Sequence, residues 1–588
     1  MKVFGVLWLL AAVSLPAIAD ESSVSLLEGA WDEATAQPLL DKTLYLHIGY
    51  DADAFTPAER AAAAELIAAG HRLHALYLQQ RHPQGRAVQA ALDASTPQHL
   101  RDLFRAMKGP IATTLANERE AFLNVVEEVP GKNVYPAALE RKAMDEYLAA
   151  NPTSRKALLH LRSIVVEATA AHKQQVLDTL DSYPVLDTLH PGLREQMLTA
   201  STYLPVPYSV AYPEDVLYVY DRLSHAAALI EQEDVSFARY LRARARDLLA
   251  DDYDAGDAAW VTGDYAGSLN AQIGAYETYD DALYGVKAFF SLSLLQRDKA
   301  RSEELARAIG DIQSIEDALP YATRKRVRSD IPVGVYNIVA DFGQARGTNT
   351  ATILPNEGHL SRQFGRIILI RSTILRNPIL FAEARKAFVA ATAPQHHEDL
   401  DIEGGFYRTL WHEIGHYLGP DQTRDGGDID AALQDTADLF EEMKSDLVSL
   451  FASGMLAEQG YHSPQRLRAI YAGGIRRVLQ KNRPRRDQAY GTMQLIQWNW
   501  FLDQGLLRFE DDRLHIDYDR YPATVTSLLA EVLRLQYEGD REAAVAFVKE
   551  WTDWDEGLHE VIAGRMRDAE GARFRHVTYE ALGEAARY

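Results

Sequence analysis

Residues 406–420, FYRTLWHEIGHYLGP, set Phe406, Leu410, Ile414 and Tyr417 at spacings of three and four and then stop at Gly419-Pro420. This is the apolar stripe and the C-terminal stop of an amphipathic helix. His412 and His416 therefore fall one turn apart on one face, a spacing at which two imidazoles can hold one tetrahedral zinc ion. Glu413, next along the helix, can reach a water beside that metal. Two histidines alone do not complete such a site, so a third ligand is required.

Downstream, ALQDTADLFEEMKSDLVSLFASG from Ala432 carries Leu439, Phe440, Met443, Leu447 and Leu450 at helical spacing. Asp435, Asp438, Glu442, Asp446 and Ser449 lie on its opposite face. A solvated acidic face explains most such stripes, but pairing with the histidine helix favours ligation here. Glu442 supplies a carboxylate ligand, and Asp446, one turn on, supplies a carboxylate that can accept the remaining N–H of a zinc-bound histidine. Glu441 competes for the ligand role, yet its partner four residues on is Ser445, which carries no charge. Two neutral histidines and one carboxylate leave a coordination position open, as in catalytic rather than structural zinc sites. The residues predict one Zn2+ per chain and a hydrolase, with Glu413 as the general base that moves a proton from water to a leaving amine.

The rest of the chain divides by texture. Residues 20–257 are Ala- and Leu-rich with apolar residues at helical spacing, as in AERAAAAELIAAGHRLHALYLQQR, and are expected to be mainly helical. Residues 258–380 contain short β-branched and aromatic runs bounded by Gly, Pro and Asn, such as IPVGVYNIVADF and GRIILIRSTIL, and are expected to hold strands. Helical periodicity returns over 381–588, the zinc-binding region. The fold class expected is mainly α with an α+β part. At 588 residues two or three lobes are expected.

The opening MKVFGVLWLLAAVSLPAIAD has a basic Lys2, an apolar run and small residues at Ala17 and Ala19. It reads as a signal peptide, residues 1–19, whose removal gives a periplasmic or secreted bacterial protein. The run is shorter than the roughly 20 residues that span a bilayer, and no later stretch is long and apolar enough to do so, so no membrane partner is expected after cleavage. The chain has no cysteine, which excludes disulfides, thiolate metal sites and a cysteine nucleophile. With 61 Lys and Arg against 84 Asp and Glu, the net charge of -23 opposes binding to nucleic acid or anionic lipid. Oligomeric state leaves no mark in these residues.

Five segments in order resemble the dipeptidyl peptidase III family, specifically its shorter members with H-E-x-x-H in place of H-E-x-x-G-H: IGAYETYDDALYGVKA from Ile273, PVGVYNIVADFGQARGT from Pro332, TLWHEIGHYLGP from Thr409, FEEMKSDLVSLFA from Phe440 and QAYGTMQLIQWNWFLDQG from Gln488. The resemblance implies two lobes around a cleft, a helical zinc lobe and a mixed lobe containing a small β-barrel, closing over a short peptide substrate. It implies that Tyr279, in Glu277-Thr278-Tyr279, stabilises the transition-state oxyanion, for which a phenol donor in a dry cleft is suited, and that Glu277 and Asn337 meet the substrate's amino terminus. Two positions depart from the pattern. Tyr490 stands where the family places a substrate-contacting histidine, and Ala340 stands where it places a second asparagine. The expected activity is zinc-dependent hydrolysis of short peptides. The alternatives are zinc hydrolysis of a non-peptide amide or ester, to which the two departures point, and a catalytically silent, zinc-stabilised peptide-binding protein.

Overall fold

The computed structural model describes residues 26–586, apart from 311, 328–332, 348–349, 355–362, 366, 485–488 and 570. The expected signal peptide lies outside the described residues. Among them, no helix is long and apolar enough to cross a membrane.

Helices dominate, as the texture predicts, and the largest sheet falls within 258–380, but short strand pairs also form in the stretches expected to be helical, such as 163–167 with 203–207 and 507–510 with 513–516. The largest sheet has five strands in the order Leu269–Ala275, Phe290–Arg297, Val333–Gly343, Ile367–Arg371 and Ala351–Leu354. The first three neighbours run antiparallel, with Ile273 opposite Leu292 and Leu294 opposite Ala340. Strand 367–371 then lies parallel to 333–343, with Ile370 beside Val335, and pairs antiparallel with 351–354. This corrects one expectation: the sheet is open, and no β-barrel is formed among the described residues. The two outermost strands, 269–275 and 351–354, do not pair with each other. A barrel needs its edges to meet with a fixed stagger. Here the last strand is only four residues long and a helix occupies the sheet's face.

That helix, Pro57–Arg81, begins in a capping box, with the Thr56 side chain accepting from the Glu59 amide and Glu59 accepting from the Thr56 amide. Gly70 brings it against the sheet so closely that a Cβ there would stand 2.4 Å from the Phe342 ring. The buried carboxylate of Glu59 also accepts from the Leu269 amide at 3.1 Å, which ties the helix to the first strand. Strand Thr43–Ile48 pairs in parallel with Phe574–Tyr579, joining regions 531 residues apart in the chain.

Strand 367–371 turns alternate residues to two different cores, and strand 333–343 contributes to both. Val335, Ile368 and Ile370 face the core that holds the metal-helix region, while Ile338, Ile367 and Leu369 face the core built on helices 57–81, 213–230 and 235–250. The period-two alternation of a strand makes this double use possible. The sheet is thus the shared wall between the N-terminal helical mass and the helices that carry the candidate site.

Those helices are Ile402–Gly415, Ala437–Glu458, Pro464–Val478, Ala489–Asp503 and Tyr521–Glu538. Small residues set how closely they approach. A Cβ on Gly404 would stand 2.3 Å from the Ala469 carbonyl oxygen and 2.8 Å from the Ala469 Cβ. Gly404→Ala must therefore push helix 402–415 off helix 464–478, and overpacking of this kind costs about 1–3 kcal/mol. The expected outcome is a lower midpoint in thermal unfolding; an unchanged midpoint would contradict this account of the packing.

Candidate metal centre

Helix 402–415 starts at Asp401, whose side chain accepts from the Glu403 amide, and ends with His416 as its C-cap in right-handed helical conformation. His416 therefore continues the helical geometry by one residue, and the His412 and His416 rings lie 5.0 Å apart, nearly perpendicular. Gly419 then takes φ +84, the left-handed conformation that suits glycine at a helix exit. Its amide donates to Glu316 Oε2 at 2.9 Å, which anchors the end of the motif.

Helix 437–458 lies against this one and brings Glu442 to the same point. One ligand atom each from His412, His416 and Glu442 lie within 4.8 Å of one another, the grouping expected from the sequence. His412 Nδ1 is 2.7 Å from Asp446 Oδ1. The contact is close but poorly aligned, so charge more than hydrogen-bond direction holds it. Asp446 is itself buried between Arg408, at 2.7 Å, and Arg477, at 3.4 Å. Burial works against its negative charge, but Arg477, Arg408 and His412 hold its carboxyl well below the usual range. Asp446 thus stays ionised and places the His412 proton on Nδ1. When the ring is neutral, that leaves the Nε2 lone pair facing Glu442 Oε2 at 3.3 Å, and this carboxylate oxygen is buried with no other hydrogen-bond partner. Two acceptors facing each other across a buried gap require a cation or a proton between them. Two imidazoles and a carboxylate oxygen form a donor set suited to zinc, so the residues fit the metal.

One residue has a role that the sequence did not suggest. Glu441, set aside as a ligand, places Oε1 2.8 Å from His416 Nδ1 and does for His416 what Asp446 does for His412. Ser445 Oγ lies 2.9 Å from the same nitrogen, and Lys444 donates to Glu441 at 2.8 Å. Burial would raise the Glu441 carboxyl, but Lys444 and His416 outweigh it and hold the group well below its ordinary value. The signal was the adjacent Glu441-Glu442 pair itself, since two histidines need two orienting acceptors. Arg408, one turn before His412, was likewise not anticipated.

Glu413 and His412 line a cavity of about 780 Å³ that runs from the metal position to the sheet edge at Thr350 and Ala351, with Arg476 and Tyr490 on its walls. Burial pushes the Glu413 carboxyl up, against the pull of His412 and His416. Tyr490 is 51% exposed and its hydroxyl donates to Glu442 Oε1 at 2.8 Å. The remaining expected site residues lie elsewhere in this structure. Tyr279, 59% exposed, and Glu277 are within electrostatic reach of the buried Arg371 in the sheet and do not line the metal cavity. Asn337 lines a separate cavity with Tyr50, Asp298 and Thr373, and its Oδ1 accepts from the Thr373 hydroxyl at 3.3 Å. Ala340 is fully buried in its strand.

With fold and site in view, known proteins place the chain by architecture. It resembles the structure of dipeptidyl peptidase III from Caldithrix abyssi with TM-score 0.76 and 21% identity, over 93% of this chain and 99% of that one. The dipeptidyl peptidase III of Corallococcus sp. strain EGB gives TM-score 0.71 and 24% identity, over 94% and 98%. The chain therefore has a dipeptidyl peptidase III-like fold. Among curated proteins, Nudix hydrolase 3 of Arabidopsis thaliana is 25% identical over 435 residues, 72% of this chain and 54% of that protein, so the chain spans about half the length of that relative. No family model matches the chain.

A metal bound at this position would have to displace a proton. In the metal-free protein burial opposes charge on His412, but Asp446 and Glu442 prevail and raise it from 6.5 to about 9. The folded state thus binds this proton more tightly than the unfolded chain, and the resulting stability is complete below about pH 6.5 and lost as pH rises through about 9. A metal needs the neutral ring. Calorimetric zinc titrations at about pH 7 in buffers of different ionisation enthalpy should show at least about one proton released per zinc; heats independent of buffer would contradict the assignment. Glu441→Gln and Asp446→Asn are each expected to weaken zinc binding about 10–100-fold, read by chelator competition.

Proposed function

We propose that the chain is a zinc-dependent peptidase that hydrolyses short peptides, with one Zn2+ held by His412, His416 and Glu442. The observation that carries this reading is the buried, partnerless Glu442 Oε2 facing His412 Nε2, with Glu413 beside them on an open cavity. The dipeptidyl peptidase III-like fold supports peptides as the substrate class.

A zinc ion bound there supplies Lewis-acid polarisation of a carbonyl and acidifies water. The chain's own residues do the rest. Asp446 and Glu441 fix the ring orientation and tautomer of the two histidines. Glu413, whose carboxyl burial pushes up, removes the proton of the attacking water and delivers it to the leaving amine nitrogen. Helix 402–415 and the sheet edge at Thr350 and Ala351 enclose the cavity and limit the water around the reacting group. In this reading the two masses of the fold are lobes that close over the peptide. Closure brings Tyr279 to the oxyanion, and Glu277 and Asn337 to the peptide's amino terminus.

A second reading, hydrolysis of a non-peptide amide or ester, draws on Asn337, which lines a cavity separate from the metal site, and on Ala340, which offers no polar group. One experiment separates the two. Zinc-loaded protein and its Glu413→Ala variant are incubated with peptides bearing free or acetylated amino termini, and products are identified by mass spectrometry. Dipeptides released from free termini by the parent are expected, with turnover down about 10²–10⁴-fold in Glu413→Ala at full zinc occupancy. Undiminished turnover in the variant would overturn the mechanism, and intact peptides beside cleavage of a non-peptide amide would establish the second reading.

A further inference from the structure

Around the metal position the side chains form a closed ring. His412 Nδ1 meets Asp446 Oδ1 at 2.7 Å, and Asp446 Oδ2 meets Arg477 Nε at 3.4 Å. The Arg477 guanidinium lies over the Tyr490 ring at 5.6 Å from its centroid. The Tyr490 hydroxyl donates to Glu442 Oε1 at 2.8 Å, and Glu442 Oε2 returns to His412 Nε2 at 3.3 Å. Tyr490 enters the ring from a third helix, Ala489–Asp503, and Arg477 from a fourth, Pro464–Val478.

The ring divides the two oxygens of Glu442. Oε1 is engaged by the phenol, while Oε2 is buried without a hydrogen-bond partner and points at the histidine nitrogen. A carboxylate can bind a metal through one oxygen or two, and a second bound oxygen fills the position that a hydrolytic site keeps for water or substrate. A phenol cannot compete with a metal for a lone pair unless it is held in place. Here the guanidinium against its ring supplies that hold, and Asp446 fixes the guanidinium in turn.

From this geometry we infer that Tyr490 is a positioning residue that makes Glu442 a one-oxygen ligand and so keeps one coordination position open. Arg477 links it to the group that orients His412, so the two ligands are set by one continuous network. The role differs from direct contact with substrate, although Tyr490 borders the same cavity. The inference rests on the zinc reading of His412, His416 and Glu442.

The test is Tyr490→Phe, which keeps the ring and removes only the hydroxyl at a half-exposed position, with cobalt(II) in place of zinc as the probe. Four-coordinate cobalt(II) absorbs strongly in the visible and five-coordinate cobalt(II) weakly. The parent is expected to bind one cobalt with the strong spectrum. The variant should bind one cobalt with a weakened spectrum, and its zinc form should turn over about 10–100-fold more slowly, the usual effect of losing an outer partner of a ligand. An unchanged cobalt spectrum overturns the inference, and if turnover nevertheless falls, Tyr490 acts on substrate instead. A parent that binds neither cobalt nor zinc fails at the earlier step and removes the zinc reading itself.

Discussion

Glu442 Oε2 and His412 Nε2 face each other at 3.3 Å with the carboxylate oxygen otherwise unpartnered, and much of the surrounding structure is arranged so that this opposition persists. Left alone, the two groups would relax by rotating toward donors or by sharing a proton. They are prevented from rotating because each is gripped from behind, His412 by Asp446 and Glu442 by Tyr490. Asp446 can serve only as an anion, and it remains one in a buried place because Arg408 and Arg477 flank it. Removing one member of such a buried charged set costs about 3–5 kcal/mol, because the others are left uncompensated. The site therefore depends on the packing of four helices, and close helix contacts such as Gly404 against Ala469 belong to the chemistry as much as to the fold.

Much of this was legible in the sequence, because helical periodicity is a local property. The spacing of Phe406, Leu410 and Ile414 fixed which face His412 and His416 share, and the run from Leu439 to Leu450 fixed the face of Glu442 and Asp446. The role of Glu441 was less visible, because neighbouring residues on a helix point about 100° apart and only the placement of the facing helix decides which histidine each can reach. Arg408 and Arg477 were hidden for a similar reason. A cation beside an acidic protein's surface and a cation paired with a buried Asp446 look alike until helix 464–478 is set against helix 402–415.

The sheet shows where local reading ends. Residues in strands 269–275, 333–343 and 367–371 were identifiable from β-branched and aromatic runs, whereas strand 290–297, FSLSLLQR, has no β-branched residue and gave no such signal. Closure into a barrel was not decidable from them, since it depends on whether strand 351–354 reaches strand 269–275, and pairing between distant segments leaves no periodic trace. The parallel pairing of Thr43–Ile48 with Phe574–Tyr579 was invisible for the same reason. Asn337 adds a functional case. It lies on a strand that contributes to both cores, and in this structure it looks into a cavity other than the one that holds Glu413.

In the proposed site two imidazoles and one carboxylate oxygen hold a single metal with a position left open. X-ray absorption at the zinc edge of the loaded protein measures this most directly. The predicted spectrum contains one zinc with only nitrogen and oxygen neighbours at about 2.0–2.1 Å, two of them showing imidazole scattering. A zinc with fewer than two imidazoles, or one surrounded by six oxygens as in a loosely held surface ion, would contradict it.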